Sequence, residues 1–253
     1  MRATYHIFYN NESNLDYKCS IIRRPNIPTP VKDIEAIKIE GRDGELHKDK
    51  GTYGDIPISF DFNFVCEPNE FTDKLRKIRK WLFGKEDMKL IMSDDPEFYY
   101  KVKKVTMGDV TRSLKRKGQF NVTFKVEAYS YRSDGLIEKT LSGTALYNPY
   151  EPTYPTYRIM GNGECTLSVN GKNITATVED ELTILSEAEL CYDEGKNIVN
   201  SSIAGEYDDL ILQSGDNEII VSEGFELIII PNWRTIWYKY MLKIIQIIRK
   251  MVI

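Results

Sequence analysis

The chain has 253 residues, of which 42% are apolar and 28% charged, and a net charge of −4. That profile belongs to a folded globular protein and excludes a disordered or fibrous one. Cys19, Cys66, Cys165 and Cys191 stand too far apart in sequence for a paired-cysteine zinc motif or a dense disulfide framework. They are expected as reduced, buried thiols. The start of the chain is polar, with no apolar stretch of signal-peptide length, so maturation in a reducing cytoplasm is expected.

Sixteen Tyr and ten Phe favour strands over helices, because flat rings pack well on pleated surfaces. In chain order, Gly41 to Gly54 is rich in Gly, Asp and Lys and reads as a long exposed loop. From Asp55 to Val65, Ile56, Ile58, Phe60, Phe62 and Phe64 alternate with polar residues, the two-residue period of a half-buried strand. Pro57 places its start at an edge or entrance. A helix is predicted next, with Asn69 as its cap, Phe71, Leu75, Ile78 and Leu82 on the apolar stripe, and Gly84 as a left-handed stop. Its outer face carries Lys74, Arg76, Lys77, Arg79 and Lys80. These read first as a solvated face, with Lys74, Lys77, Arg79 and Lys80 as a candidate contact for an acidic neighbouring subunit. Two more strands are predicted at Phe98–Val105 and Phe120–Tyr131, joined through a basic, hairpin-like loop at Arg112–Gly118.

Residues 148–155 hold three prolines and predict a stiff linker. Charge changes sign there: residues 1–150 carry 26 Lys and Arg against 22 Asp and Glu, whereas 151–233 carry 3 against 16. The expected division is therefore 1–147, linker 148–155, second domain 156–234, and an extension 235–253. In the second domain, Asn170-Gly171 predicts a tight hairpin, since both turn positions need positive φ. Further short strands are expected at 182–185, 188–192, 209–212, 218–221 and 225–230, the spacing of a sandwich.

Little in the chain suggests catalysis. Only His6 and His47 exist, without a nearby nucleophile or metal-ligand spacing. The acidic clusters Asp94-Asp95-Pro96-Glu97 and Glu179-Asp180-Glu181 read as strand-flanking turns and match no calcium loop. No glycine-rich phosphate loop or nucleophile elbow occurs. No enzyme activity, catalytic residue, cofactor or metal is expected. Acids from different loops meeting in space, as in a glycan hydrolase, stay open as a competing reading. No segment joins a basic stripe to a nucleic-acid motif, so sequence-specific nucleic-acid binding is not expected.

The order of elements resembles the distal tail protein family of siphophages, in the form found in lactococcal phages with large baseplates. The resemblance rests on Glu40-Gly41-Arg42-Asp43-Gly44, the alternating strand at 56–64, Arg76 to Gly84, Asp94 to Tyr100 and Gly118 to Tyr131. It continues through Asn148-Pro149, Val169-Asn170-Gly171-Lys172, Gly215 to Ile219 and the closing Ile229-Ile230-Pro231-Asn232-Trp233-Arg234. It implies a mainly β chain: a β-rich belt domain with one α-helix, six copies of which form a ring, followed by a galectin-like β-sandwich. It implies a hub at the virion tail tip, or baseplate, that joins the tail tube protein to the tail-associated protein. Such a hub carries the receptor-binding apparatus on its outer surface. The alternative is a host cell-wall polysaccharide-binding module. The second domain lacks histidine, and its tryptophans are Trp233 and Trp237, so the sandwich reads as a docking scaffold rather than a sugar site.

The extension combines cations with apolar residues. Lys239, Lys243, Gln246 and Lys250 would form one polar stripe on a helix, leaving an apolar surface that needs cover. Ile236, Trp237, Tyr240, Lys243, Ile244, Ile247 and Ile248 are the candidate partner-docking residues. Contact with a membrane surface is the second reading.

Overall fold

A computed structural model describes residues 4–41, 43–84, 87–113, 115–141 and 144–236. The chain divides into two compact units, Met1–Ser130 and Tyr131–Ile253.

The first unit contains β1 (Ile7–Tyr9), β2 (Glu12–Ser13), β3 (Cys19–Ile21), β4 (Lys32–Lys38), β5 (Glu45–Tyr53) and β6 (Ile56–Val65). Helix α1 (Phe71–Phe83) follows, then β7 (Lys89–Met92), β8 (Asp95–Met107), β9 (Thr111–Ser113) and β10 (Lys117–Arg132). The main sheet runs β2-β1-β7-β8-β10-β6-β3. Toward its β3 edge lies the antiparallel pair β6–β10, in register from Lys117 opposite Val65 to Val126 opposite Ile56. The predicted alternation holds residue by residue: Ile58, Phe60, Phe62, Val122 and Phe124 are fully buried. Phe62 stacks on its cross-strand partner Phe120 at 5.4 Å, a contact adding about 0.5–1.5 kcal/mol beyond the area removed from water. Pro57 lies opposite Lys125 of β10, while β3 covers β6 only at Phe62–Phe64, so the missing N–H disturbs no described ladder bond.

The helix lies one residue away from the expected start and ends differently. Glu70 holds the N-cap position and makes no side-chain cap bond; Asn69 belongs to the turn before it. Gly84 is extended at φ −62°, not left-handed, and its N–H donates to Lys80 O. The Asn10 side chain occupies the space where a Gly84 Cβ would stand, so the glycine serves close approach rather than a turn. Phe71, Ile78, Trp81 and Leu82 form the buried stripe, and Trp81 Nε1 donates to Tyr9 O at 2.8 Å. Tyr17 stacks on the same indole at 5.1 Å.

The expected loop at Gly41–Gly54 is instead mostly strand. β4 and β5 form a separate two-stranded hairpin, with a register shift between Lys32 and Ile34. Both its faces are exposed, so selection imposes no apolar alternation, and alternation is what marks a strand in sequence.

The second unit begins with Tyr131 and Arg132. It contains β11 (Lys139–Thr140), β12 (Ala145–Asn148), β13 (Thr156–Val169), β14 (Lys172–Leu185), β15 (Leu190–Asp193), β16 (Ile203–Ala204), β17 (Gly215–Val221), β18 (Glu226–Ile230) and β19 (Arg234–Thr235). β13 and β14 pair along their whole length through the expected turn, with Asn170 at φ 53° and Gly171 at φ 78°. The sheet order is β11-β18-β13-β14-β15, with β17 joining β12 to β13 and β16 on β14. Tyr157, Ile159, Leu167, Val169, Ile184 and Leu212 are fully buried. Residues 209–212, expected as a strand, are the end of a 3-10 turn at Tyr207–Leu210 followed by a single bridge from Leu212 to Thr153.

The proline-rich segment 148–155 lies inside this unit, with Asn148, Tyr150, Glu151 and Thr153 buried. Asn148 folds the segment on itself: its Nδ2 donates to Glu151 O and its Oδ1 accepts from the Tyr150 N–H. Three prolines prevent continuous ladder pairing, and single backbone bonds, Glu151 N–H to Arg234 O and the Thr153–Leu212 bridge, join the Asn148 side chain in satisfying the backbone.

Candidate interaction surfaces

Among the described residues, no three His, Cys, Asp or Glu side chains converge to hold a metal ion. His6 Nδ1 lies 2.8 Å from Thr4 O, and His47 is exposed on β5. The four cysteines are free thiols. Burial pushes the Cys19 and Cys191 thiols up to about 12, which makes them poor nucleophiles. At the first acidic cluster, Arg24 pairs with Asp94 at 2.8 Å, while burial, then Asp94 and Glu97, raises the Asp95 carboxyl above its ordinary range. In the second cluster, Asn162 Nδ2 donates to Asp180 across the β13–β14 pair.

The basic helix face is present but uneven. Lys74 turns back, its Nζ donating to Val65 O and lying over the Phe64 ring. Arg76 pairs with Asp73 at 2.7 Å. Lys77, Arg79 and Lys80 are exposed and make no ion pair among the described residues. The β9–β10 turn abuts the start of this helix. Arg112 stacks over Phe71 at 4.2 Å and donates to Pro68 O and Lys115 O, while Arg116 pairs with Glu67. Tyr17, Lys18, Glu70, Asp73, Lys74 and Lys77 line an open cleft of about 370 Å³ beside α1, whose mixed charges favour a protein surface over a small anion.

The β4–β5 hairpin is the surface that sequence reasoning missed. Its one face carries Glu35, Ile37, Leu46 and Lys48 as cross-strand neighbours. Val31 is 76% exposed, and Ile34 and Leu46 are each 52% exposed. The pairs Lys32–Asp49 at 2.6 Å and Lys50–Glu35 at 3.9 Å tie the strands together, but exposed pairs add at most about 1 kcal/mol each. The signal available in sequence was the alternation Ile34, Ala36, Lys38 against Asp33, Glu35, Ile37, which is too weakly apolar to separate a strand from a loop.

Of the candidate docking residues in the extension, Ile236 is fully buried and its N–H donates to the Glu151 carboxylate at 3.3 Å. It anchors the base of the extension instead of offering a surface. Trp237, Tyr240, Lys243, Ile244, Ile247 and Ile248 lie outside the described residues. Trp233 is buried, with Lys139 over its ring, and Arg234 lies over Tyr154 while donating to Pro152 O. No described helix is long and apolar enough to cross a membrane.

Residues 12–126 match the family model described as the phage tail protein RIFT-related domain. No curated protein sequence matches the chain. Among solved structures, the chain is similar to phage SPP1 Dit, described as a paradigm of the hub adsorption apparatus in phages that infect Gram-positive hosts. The similarity covers 90% of this chain and 98% of that one, with a TM-score of 0.62 and 13% identity. At that identity the likeness is one of fold.

Proposed function

We propose, from the phage-tail domain matched by residues 12–126, that this chain is the distal tail protein of a siphophage. In this reading it is a structural, non-catalytic ring of six copies at the tail tip, joining the tail tube to the tail-associated protein and anchoring the receptor-binding proteins. The observation that carries the reading is the β4–β5 hairpin. A strand pair exposed on both faces, with Val31, Ile34 and Leu46 open to water, gains stability only when another surface covers it. Identical copies in a closed ring supply such a surface to every subunit. The domain matched by the phage-tail model contains this hairpin, and the solved hub protein shares the fold of most of the chain.

Two further surfaces fit an assembly role. The unpaired Lys77, Arg79 and Lys80 suit an acidic partner, and charge of this kind acts mainly on association rate and its salt dependence. Residues 237–253, cationic and apolar, suit docking on a neighbouring tail protein.

Light scattering with negative-stain imaging tests the reading directly. The full chain should form a closed ring, and the double change Ile34→Asp with Leu46→Asp should give a folded monomer with an unchanged melting temperature. A wild-type chain that stays monomeric at high concentration and binds none of the tail proteins would overturn it.

A further inference from the structure

We infer that an apolar groove on the second unit is the docking site for residues 237–253 of the same chain, which add a short strand to the edge of β17. The groove exists because β13 changes partner along one edge. Its first half pairs with β18, from Thr156 opposite Ile230 to Met160 opposite Glu226. Its last residues pair with β17, from Leu167 opposite Val221 to Val169 opposite Ile219. The outer strands leave a matching gap: β11 ends at Thr140, opposite Ile228, and β12 begins at Ala145, opposite Glu218. Leu141, Ile220, Val221, Phe225, Glu226 and Leu227 line the resulting groove of about 320 Å³. Phe225 is seated by its ring packing on Gly161, where a Cβ would stand 2.5 Å from it. Ile220 is 45% exposed.

The backbone there is ready to pair. The Ile219 N–H donates to Thr144 O, and successive residues of an antiparallel strand turn to alternate sides. Val221 therefore points its N–H and C=O the same way, beyond Ala145, to a side where no described strand pairs with it. An open edge of this kind accepts an added strand.

The tail matches the groove in chemistry and reach. Ile244, Ile245, Ile247 and Ile248 make a β-branched run suited to a strand, with Lys243 before it and Arg249 and Lys250 after it. The groove carries the opposite charge. Glu218 lies before it on β17, and Glu223 and Glu226 lie after it, none of them in an ion pair among the described residues. Apolar contact supplies the affinity, and the flanking charges select the segment. Glu226 stands ten residues before Ile236, so the groove lies at most about 36 Å from the root of the tail. The seventeen residues beyond Ile236 extend up to about 60 Å. A tethered segment acts at an effective concentration on the order of mM, which favours the chain's own groove over that of a second copy. The inference does not rest on the proposed role; a tail protein that takes this segment would displace it from the groove.

Hydrogen exchange on the full chain tests the assignment. Amides 244–248 should exchange at least about tenfold slower in the parent than in Ile220→Asp, and than in the double change Glu223→Lys with Glu226→Lys. Both glutamates are exposed, so the double variant should melt with the parent and separates release of the tail from loss of the fold. Trapping then identifies the chain that supplies the groove. Ile220→Cys is combined in turn with Ile244→Cys, Ile245→Cys, Ile247→Cys and Ile248→Cys, in a Cys66→Ser background that removes the partly exposed native thiol. With oxidised glutathione, at least one pair should close a disulfide that runs as a single chain on a non-reducing gel. Unprotected tail amides in the parent, protection that both variants keep, or no disulfide from any pair overturns the proposal. A disulfide joining two chains overturns the assignment to the chain's own groove.

Discussion

Two antiparallel hairpins in this chain follow the same backbone rules and owe their stability to opposite sources. β13–β14 pairs for fourteen residues on each side around Asn170-Gly171 and buries Leu167, Val169, Ile174 and Ala176. β4–β5 pairs with a shifted register, buries nothing, and relies on exposed ion pairs. The first is stabilised inside its own unit. The second has no buried residue of its own to stabilise it, which fits the proposed role of an assembly element.

The sharpest way to break this contrast is to delete apolar side chains from each hairpin. Ile174→Ala, in a fully packed site, should cost about 2–5 kcal/mol, read by urea unfolding. Ile37→Ala should stay within about 0.5 kcal/mol of the parent. Equal losses would mean that the β4–β5 hairpin, an arm with both faces exposed, is packed like a core. Next comes the buried Asn217, whose Nδ2 donates to Leu146 O, Gln213 O and Gly215 O while its Oδ1 accepts from the Gln213 N–H. Asn217→Ala should cost about 1–3 kcal/mol by orphaning those groups. Lys32→Ala, which breaks the exposed pair with Asp49, should cost at most about 1 kcal/mol.

A further contrast compares the turns. Gly171→Ala forces a side chain into positive φ, at about 1–2 kcal/mol, and should lower the melting temperature. The same strain at Gly51, at φ 75° in the arm, should raise amide exchange in β4 and β5 without moving the melt. The smallest effect is acid sensitivity. Burial raises the Asp55 carboxyl, but the hydrogen bonds and charges of Lys103 at 2.8 Å and Lys125 at 3.3 Å outweigh it and leave the group below its ordinary range. A lowered folded value contributes stability that is present above the unfolded value of about 3.9 and is lost as pH falls through the folded one. Asp55→Asn should therefore flatten the acid limb of the stability curve below about pH 4. Asp49, lowered by its Lys32 hydrogen bond and the Gly51 N–H, should on removal affect only the arm.

These contrasts also mark what the sequence made legible. β6, β10 and α1 were readable because each has one buried face, and Phe60, Phe124 and Ile78 record it. The Asn170-Gly171 turn was readable because its backbone demands those residue types. β4 and β5 were hidden because no face is buried. The segment 148–155 looked like a linker because its prolines are visible in sequence, while the bonds that bury it, such as Thr153 Oγ1 to Pro231 O, join residues far apart in the chain. Ile236 was grouped with the extension for the same reason.

Thr153 and its neighbours have one more consequence. The Arg132 N–H donates to Trp233 O, the Glu151 N–H to Arg234 O, and the Ile236 N–H to the Glu151 carboxylate. The second unit's first residues are therefore stitched beside its last described ones, Trp233–Ile236. A unit whose entrance and exit coincide is a cassette: it can be permuted, enlarged or exchanged at its far loops without moving its point of attachment. Tension applied between those two ends would meet only a few bonds at the seam, opened one after another, and the long β13–β14 ladder would carry none of the initial load.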